Sequence, residues 1–118
     1  MFCVHVHAGS VVDSKRIEIC FWETRSVICS DEGKIIILSS TYGHMAETRC
    51  YNTKNESNKC SVHSYVKAKC HEKIACLIEL PDKELDAMPN CSNLDIKNLE
   101  IVYQCKNGKY FLIIACYV

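Results

Sequence analysis

Neither sign of charge predominates in this chain: over 118 residues, 14 Lys and Arg meet 14 Asp and Glu. A protein that neutralises many phosphates needs a basic surplus, so nucleic acid is excluded as a partner. Long hydrophobic runs are missing as well. The longest candidate, Tyr110 to Val118, is about half of the roughly 18 apolar residues that cross a bilayer, and no membrane span is expected within the chain. With only four glycines there is no Gly-rich loop to cradle a phosphate, and neither His-Glu-x-x-His nor Gly-x-Ser-x-Gly occurs. A nucleophilic cysteine would have to stay unpaired beside a base, whereas a thiol in a cysteine-rich secreted chain is by default bridged. No enzyme activity and no cofactor are therefore expected.

Cysteine is the residue in excess. Ten occur, about 8% of the chain and close to the level that marks a disulfide scaffold. Cys-x-x-Cys, with which one turn offers two thiolates to structural zinc, is absent. Cys70, His71 and Cys76 form the nearest grouping, but it is loose and has no matching second half. His5 and His7 share one face of an extended segment; they are read as solvent-facing rather than as metal ligands, and no metal is expected. Disulfides in an oxidising compartment follow, so the chain is expected to be secreted or the extracellular part of a membrane protein. Met1 to Val12 makes a poor signal peptide, with no basic start and with His5 and His7 breaking its apolar stretch. Either the signal is degenerate or the chain is one domain of a longer protein.

The pattern is that of short strands with one helix. Arg16 to Trp22 alternates, with Ile17, Ile19 and Phe21 on one face, the period of a half-buried strand. A strand around Val27 to Cys29 is followed by the turn signal Asp31-Glu32-Gly33 and by Ile35 to Leu38, a continuous β-branched run expected to be covered on both faces and joined to its predecessor as a hairpin. Cys50 to Lys59 is polar and reads as a surface loop. Val62, Tyr65, Val66 and Cys70 form one stripe of an amphipathic helix over about 61–70, with Ser61 as N-cap. Ile74 to Leu80 is a strand stopped by Pro81, and Asp82 to Pro89 a charged loop. Leu99, Ile101 and Tyr103 define a further strand, and Asn107-Gly108 predicts a hairpin that returns Tyr110 to Tyr117 beside it. The fold class is α+β, a compact disulfide-stapled domain of antiparallel strands with one main helix. Residues 1–15 form a leading segment, 16–106 the domain, and 107–118 an apolar strand or the start of a further segment. Asn55-Glu56-Ser57 and Asn90-Cys91-Ser92 fit the N-glycosylation sequon.

The cysteine frame together with several short stretches resembles a known family. Cys20 and Cys29 flank Phe-Trp-Glu-Thr-Arg-Ser-Val-Ile; Ser40-Thr41-Tyr42-Gly43-His44 follows, then Val66 through Cys70-His71-Glu72-Lys73-Ile74-Ala75-Cys76, and last Asn90-Cys91 through Lys97 to Cys105. This is similar to the galactose- or rhamnose-binding lectin domain of the sea-urchin-egg-lectin type, found also in latrophilins and plant β-galactosidases. Eight cysteines allow about 105 connectivities; the resemblance implies Cys20–Cys50, Cys29–Cys105, Cys60–Cys91 and Cys70–Cys76. Cys3 and Cys116 lie outside this frame, and either pair with each other or bridge to another chain.

A monosaccharide offers a ring of hydroxyls and one weakly apolar face, which calls for fixed carboxylates, amides or ammonium groups and an aromatic. In these lectins such groups come from a Glu after the first cysteine, from a Tyr-Gly-Arg loop and from an Asp-Pro-Cys-x-Gly-Thr-x-Lys-Tyr-Leu segment. Here Tyr42 and Gly43 are retained and His44 replaces the arginine. Phe21 stands for the glutamate, with Glu23 two positions later expected on the same strand face; Asn90 precedes the cysteine, and Lys97 takes the lysine's place if the longer loop absorbs one residue. The resemblance thus implies a carbohydrate-binding domain with an altered sugar site at Glu23, Tyr42, Gly43, His44, Asn90 and Lys97, whose partner is a glycan or glycoprotein. The alternative is an adhesion module for a cell-surface protein, using Phe21 and Trp22, in which Tyr42 and Gly43 only keep the loop's shape.

Overall fold

In the computed structural model the described residues are 2–8, 14–30, 33–43, 49–50, 59–91, 97–106 and 111–117, with side chains described between 14 and 106 except at Asn90. Among them are strands β1 (Phe2–Ala8), β2 (Lys15–Ile19), β3 (Thr24–Ile28), β4 (Lys34–Gly43), β5 (Lys59–Ser61), β6 (Ala75–Glu79), β7 (Asn98–Lys106) and β8 (Phe111–Tyr117). Helix α1 spans His63–Cys70 and the shorter α2 Lys83–Asp86. All strand pairings are antiparallel, so the domain is α+β as its alternating segments predict.

Alternation in β7 organises the main sheet, whose order is β2-β7-β4-β5. Leu99, Ile101 and Tyr103 face the core, in register with Ile19 and Ile17 of β2, while Glu100 lies opposite Glu18 on the outer face. Arg16 lies 3.7 Å from Glu100 and offsets this like-charge pair. In β4, Ile35 and Ile37 are buried, but the register slips between Ile37 and Ser39. The extra residue of this β-bulge, Leu38, is 44% exposed, so the apolar run is not covered on both faces. Because side chains alternate with period two, the slip puts Ser40 and Tyr42 on the buried face in place of Ser39 and Thr41. The Ile37 N–H at the bulge donates to His71 Nδ1 at 3.3 Å, so this backbone donor finds a side-chain acceptor.

Helix α1 packs against β4 through Tyr65, Val66 and Cys70, with buried Val62 at its N-cap. The stripe is the one its spacing predicts, but the cap is not: Ser61 ends β5, and Val62 makes no side-chain capping bond. Four further expectations are corrected. β3 pairs with β6 rather than with β4; the segment after α1 takes the neighbouring backbone groups, with Cys29 N–H donating to Ile74 O at 2.9 Å, Ile35 N–H to Lys73 O at 2.8 Å and Glu72 N–H to Ile35 O at 2.7 Å. β8 pairs with β1 and not with β7, because both edges of β7 are already occupied by β2 and β4. Residues 82–89 are not a plain loop. Asp82 caps α2 by accepting from Glu84 N–H at 2.8 Å and Leu85 N–H at 3.4 Å, and buries Leu85 beneath it. The strand over 16–22 also ends early, at Ile19.

Among the residues with described side chains, four disulfides staple the fold: Cys20–Cys50, Cys29–Cys105, Cys60–Cys91 and Cys70–Cys76, with Cα separations between 5.2 and 5.5 Å, the ordinary range. They are the pairs that the resemblance implies, and Cys70 and Cys76 are thereby removed as metal ligands. Cys3 and Cys116 are direct register partners in the β1–β8 ribbon. No helix of the described residues is long and apolar enough to cross a membrane.

The bridges differ in the loops they close, 76 residues for Cys29–Cys105 against 6 for Cys70–Cys76. Loop-closure entropy makes the first contribute about 4 kcal/mol and the second about 2. Paired Cys-to-Ala replacement at 29 and 105 is therefore expected to lower the thermal midpoint further than the same replacement at 70 and 76, as read by circular dichroism.

Candidate functional site

One end of the main sheet gathers most of the residues singled out by sequence. There β4 ends at Gly43, opposite Asn98 of β7 and Lys59 of β5, while β2 ends at Ile19 opposite Leu99. Gly43 has φ 129°, a conformation that side-chain-bearing residues resist, and this position does require glycine. His44 and Asn55 lie outside the described residues. Asn90 sits in a 3-10 turn, Pro89–Cys91, and Ser92 of its sequon is outside the described residues.

Beyond Ile19 the chain makes a tight turn rather than continuing as strand. Glu23 N–H donates to Cys20 O at 3.0 Å, and Cys20 N–H donates to Glu23 Oε1 at 3.3 Å. Phe21 N–H donates to Oδ1 of the buried Asn98 at 3.1 Å. Trp22 has φ 69° and is 77% exposed, with the Phe21 ring edge-on to it at 5.0 Å. Glu23 does not share a strand face with Phe21, since the strand has already ended. Its carboxylate is instead gripped by Arg49, at 2.6 Å and 3.3 Å, in the fork-on-fork geometry that suits a guanidinium. That contact holds Glu23 below the usual carboxylate range. Arg49 also donates from Nη2 to Glu18 O at 2.9 Å and from its backbone to Glu18 Oε2 at 3.0 Å. Arg49 lies beside the Cys20–Cys50 bridge; sequence reading passed over it because no motif surrounds it.

Tyr42 is fully buried by its place after the bulge. Its hydroxyl donates to Asp86 Oδ1 at 2.9 Å, and Lys97 Nζ lies 3.3 Å from the same oxygen. Burial, followed by this carboxylate, drives the Tyr42 phenol well above its ordinary pKa. Asp86 therefore joins Tyr42 and Lys97, two residues that sequence places 55 apart, while itself standing on α2. A second carboxylate, Asp82, accepts from the Tyr65 hydroxyl and from Lys69 Nζ at 3.2 Å. Lys69 also lies 4.8 Å from the centre of the Tyr65 ring, and burial pushes Tyr65 up to about 12. Sequence offered one signal for this network: an Asp after Pro81 and before Lys-Glu-Leu is a helix start.

The arrangement is a set of oriented, internally paired donors and acceptors with an exposed aromatic turn beside them. Tyr42 is buried and Gly43 closes β4, whereas Asp86 and Lys97 are each partly exposed. Among the described residues no group of three His, Cys, Asp or Glu is placed to hold a metal ion.

Burial raises the Asp82 carboxyl, but the bonds from Tyr65, Lys69 and the α2 backbone outweigh it, so its pKa in the fold is lowered. A lowered folded pKa means stability that is present above the ordinary carboxylate range and lost as pH falls through the lowered value. Asp82→Asn is thus expected to cost about 1 kcal/mol at neutral pH. In urea unfolding followed against pH, its deficit relative to wild type should shrink as the solution is acidified.

No family model and no curated protein matches this chain.

Proposed function

We propose that the chain is a non-catalytic, extracellular carbohydrate-binding domain of the lectin type it resembles, with an altered sugar site centred on Asp86 and Lys97. The observation that carries this reading is the convergence at one sheet end of Gly43, Lys97 and the Asp86 carboxylate with the turn that follows Cys20. A carboxylate and an ammonium held 3.3 Å apart offer an acceptor and donors at a spacing that adjacent ring hydroxyls can bridge. The four disulfides support an oxidising compartment and support the lectin-like frame, since their pairing coincides with the one the resemblance implies. The partner is a glycan or a glycoprotein.

A protein-binding adhesion role on the same scaffold is favoured by a different feature. On the outer face of the β3–β6 ribbon, Ile28 and Leu77 are 57% and 60% exposed, with exposed Ile74 beside them. Leu77→Glu separates the readings, because it disturbs adhesion to a cell surface while leaving sugar recognition intact.

Glycan-array screening, with calorimetric titration of rhamnose and galactose, tests the carbohydrate reading. Lys97→Met is expected to weaken any sugar bound by about ten- to a hundredfold, the loss of one charged hydrogen-bond partner. Silence of the wild-type protein on the array and in both titrations overturns carbohydrate binding.

A further inference from the structure

The turn from Cys20 to Glu23 is built more heavily than a connection between β2 and β3 needs. Its first residue is bonded to Cys50, its second has its backbone N–H held by a buried Asn98, and its last is closed by Arg49. Between them, Trp22 occupies the left-handed region at φ 69°, which is rare for a bulky side chain and persists only where the surroundings enforce it. The enforced conformation gains nothing for the core, for Trp22 is 77% exposed and Phe21 36%. Strain and anchoring are spent on holding two aromatic rings in water.

We propose that Phe21 and Trp22 form an aromatic subsite that takes the apolar C–H face of a pyranose ring, next to the polar groups at the same sheet end. The inference rests on the carbohydrate reading above and adds its apolar half. Two rings on a four-residue turn are a small surface, far below the roughly 800 Å² per partner of a stable protein interface, but one sugar ring covers little more than one indole. The polar surroundings fit as well. Glu23 and Arg49 flank the turn with fixed charges, and Lys97 directly precedes the Asn98 that anchors Phe21, so that hydroxyls at the rim of a stacked ring meet hydrogen-bonding groups.

Trp22 is the chain's single tryptophan, so its emission reports on this turn alone. The test compares wild type, Trp22→Ala and Trp22→Gly on the same glycan array, and follows tryptophan emission of the wild type during titration with methyl β-galactoside and methyl α-rhamnoside. Glycine accepts the positive φ without strain, so Trp22→Gly keeps the fold, checked by its thermal midpoint, while removing the ring. The expected result is a weakening of about three- to tenfold in both variants, with a change in wild-type emission for any of the two sugars that binds by calorimetry. Glycan signals equal to wild type in both variants overturn the aromatic subsite and leave the carbohydrate reading standing. Silence of the wild type on the array and in both titrations overturns both, and a protein partner lost by Trp22→Gly against a silent array makes the turn a protein contact instead.

Discussion

The antiparallel ladder between β4 and β7 is the constraint on which the other elements depend. It is the longest pairing among the described residues, from Lys34 opposite Lys106 to Gly43 opposite Asn98. Its edges decide the topology: β2 occupies the free side of β7 and β5 the free side of β4, which sends β8 to β1 and β3 to β6. The Cys29–Cys105 bridge joins the start of the ladder to the end of β3, and the candidate site lies at the opposite end. A single irregularity inside the ladder, the bulge at Leu38, sets the phase of everything beyond it. Without that extra residue Tyr42 would face outwards and its hydroxyl could not reach Asp86.

This explains which parts of the structure were legible in the sequence. Period-two alternation marks β2 and β7 because one of their faces is buried, and the stripe from Val62 to Cys70 marks α1 because its register against β4 needs only local spacing. Strand partners were not legible in the same way. Asp31-Glu32-Gly33 and Asn107-Gly108 are turn signals, but a turn does not decide which edge is vacant, and that depends on segments far along the chain. The bulge leaves no trace within Ile35-Ile36-Ile37-Leu38, where every residue is apolar whichever way it points. Tyr42, Gly43 and Lys97 stand out in the sequence through the resemblance, whereas Asp86, Asn98 and Arg49 do not, since each acts through a contact that is distant in sequence.

Charge neutrality acquires a local meaning at the site. Glu23 is paired with Arg49, Asp86 with Lys97 and Asp82 with Lys69, so these three carboxylates are each matched by a cation. Such pairs near the surface contribute little to stability, about 0–1 kcal/mol each. Their effect is to fix orientation. A carboxylate held by one partner keeps its remaining lone pairs pointed in a set direction, which is what recognition of a ring of hydroxyls requires.

A ligand at this end of the sheet therefore exchanges hydrogen bonds with water and with groups that already have partners, and each such exchange is nearly even in free energy. Apolar contact is not subject to that cancellation, because water gains when it leaves an aromatic surface. On the carbohydrate reading proposed above, the exposed rings of Phe21 and Trp22 would add a net apolar gain, while removing one of the paired charges would still be costly because its partner is left unsatisfied. The strain of a bulky residue in the left-handed region, of order 1–3 kcal/mol, is comparable to what one aromatic contact returns. It is offset before any ligand arrives by the Cys20–Cys50 bridge, the Asn98 anchor and the Arg49 clamp, so the backbone that carries the rings needs no further ordering when they are covered.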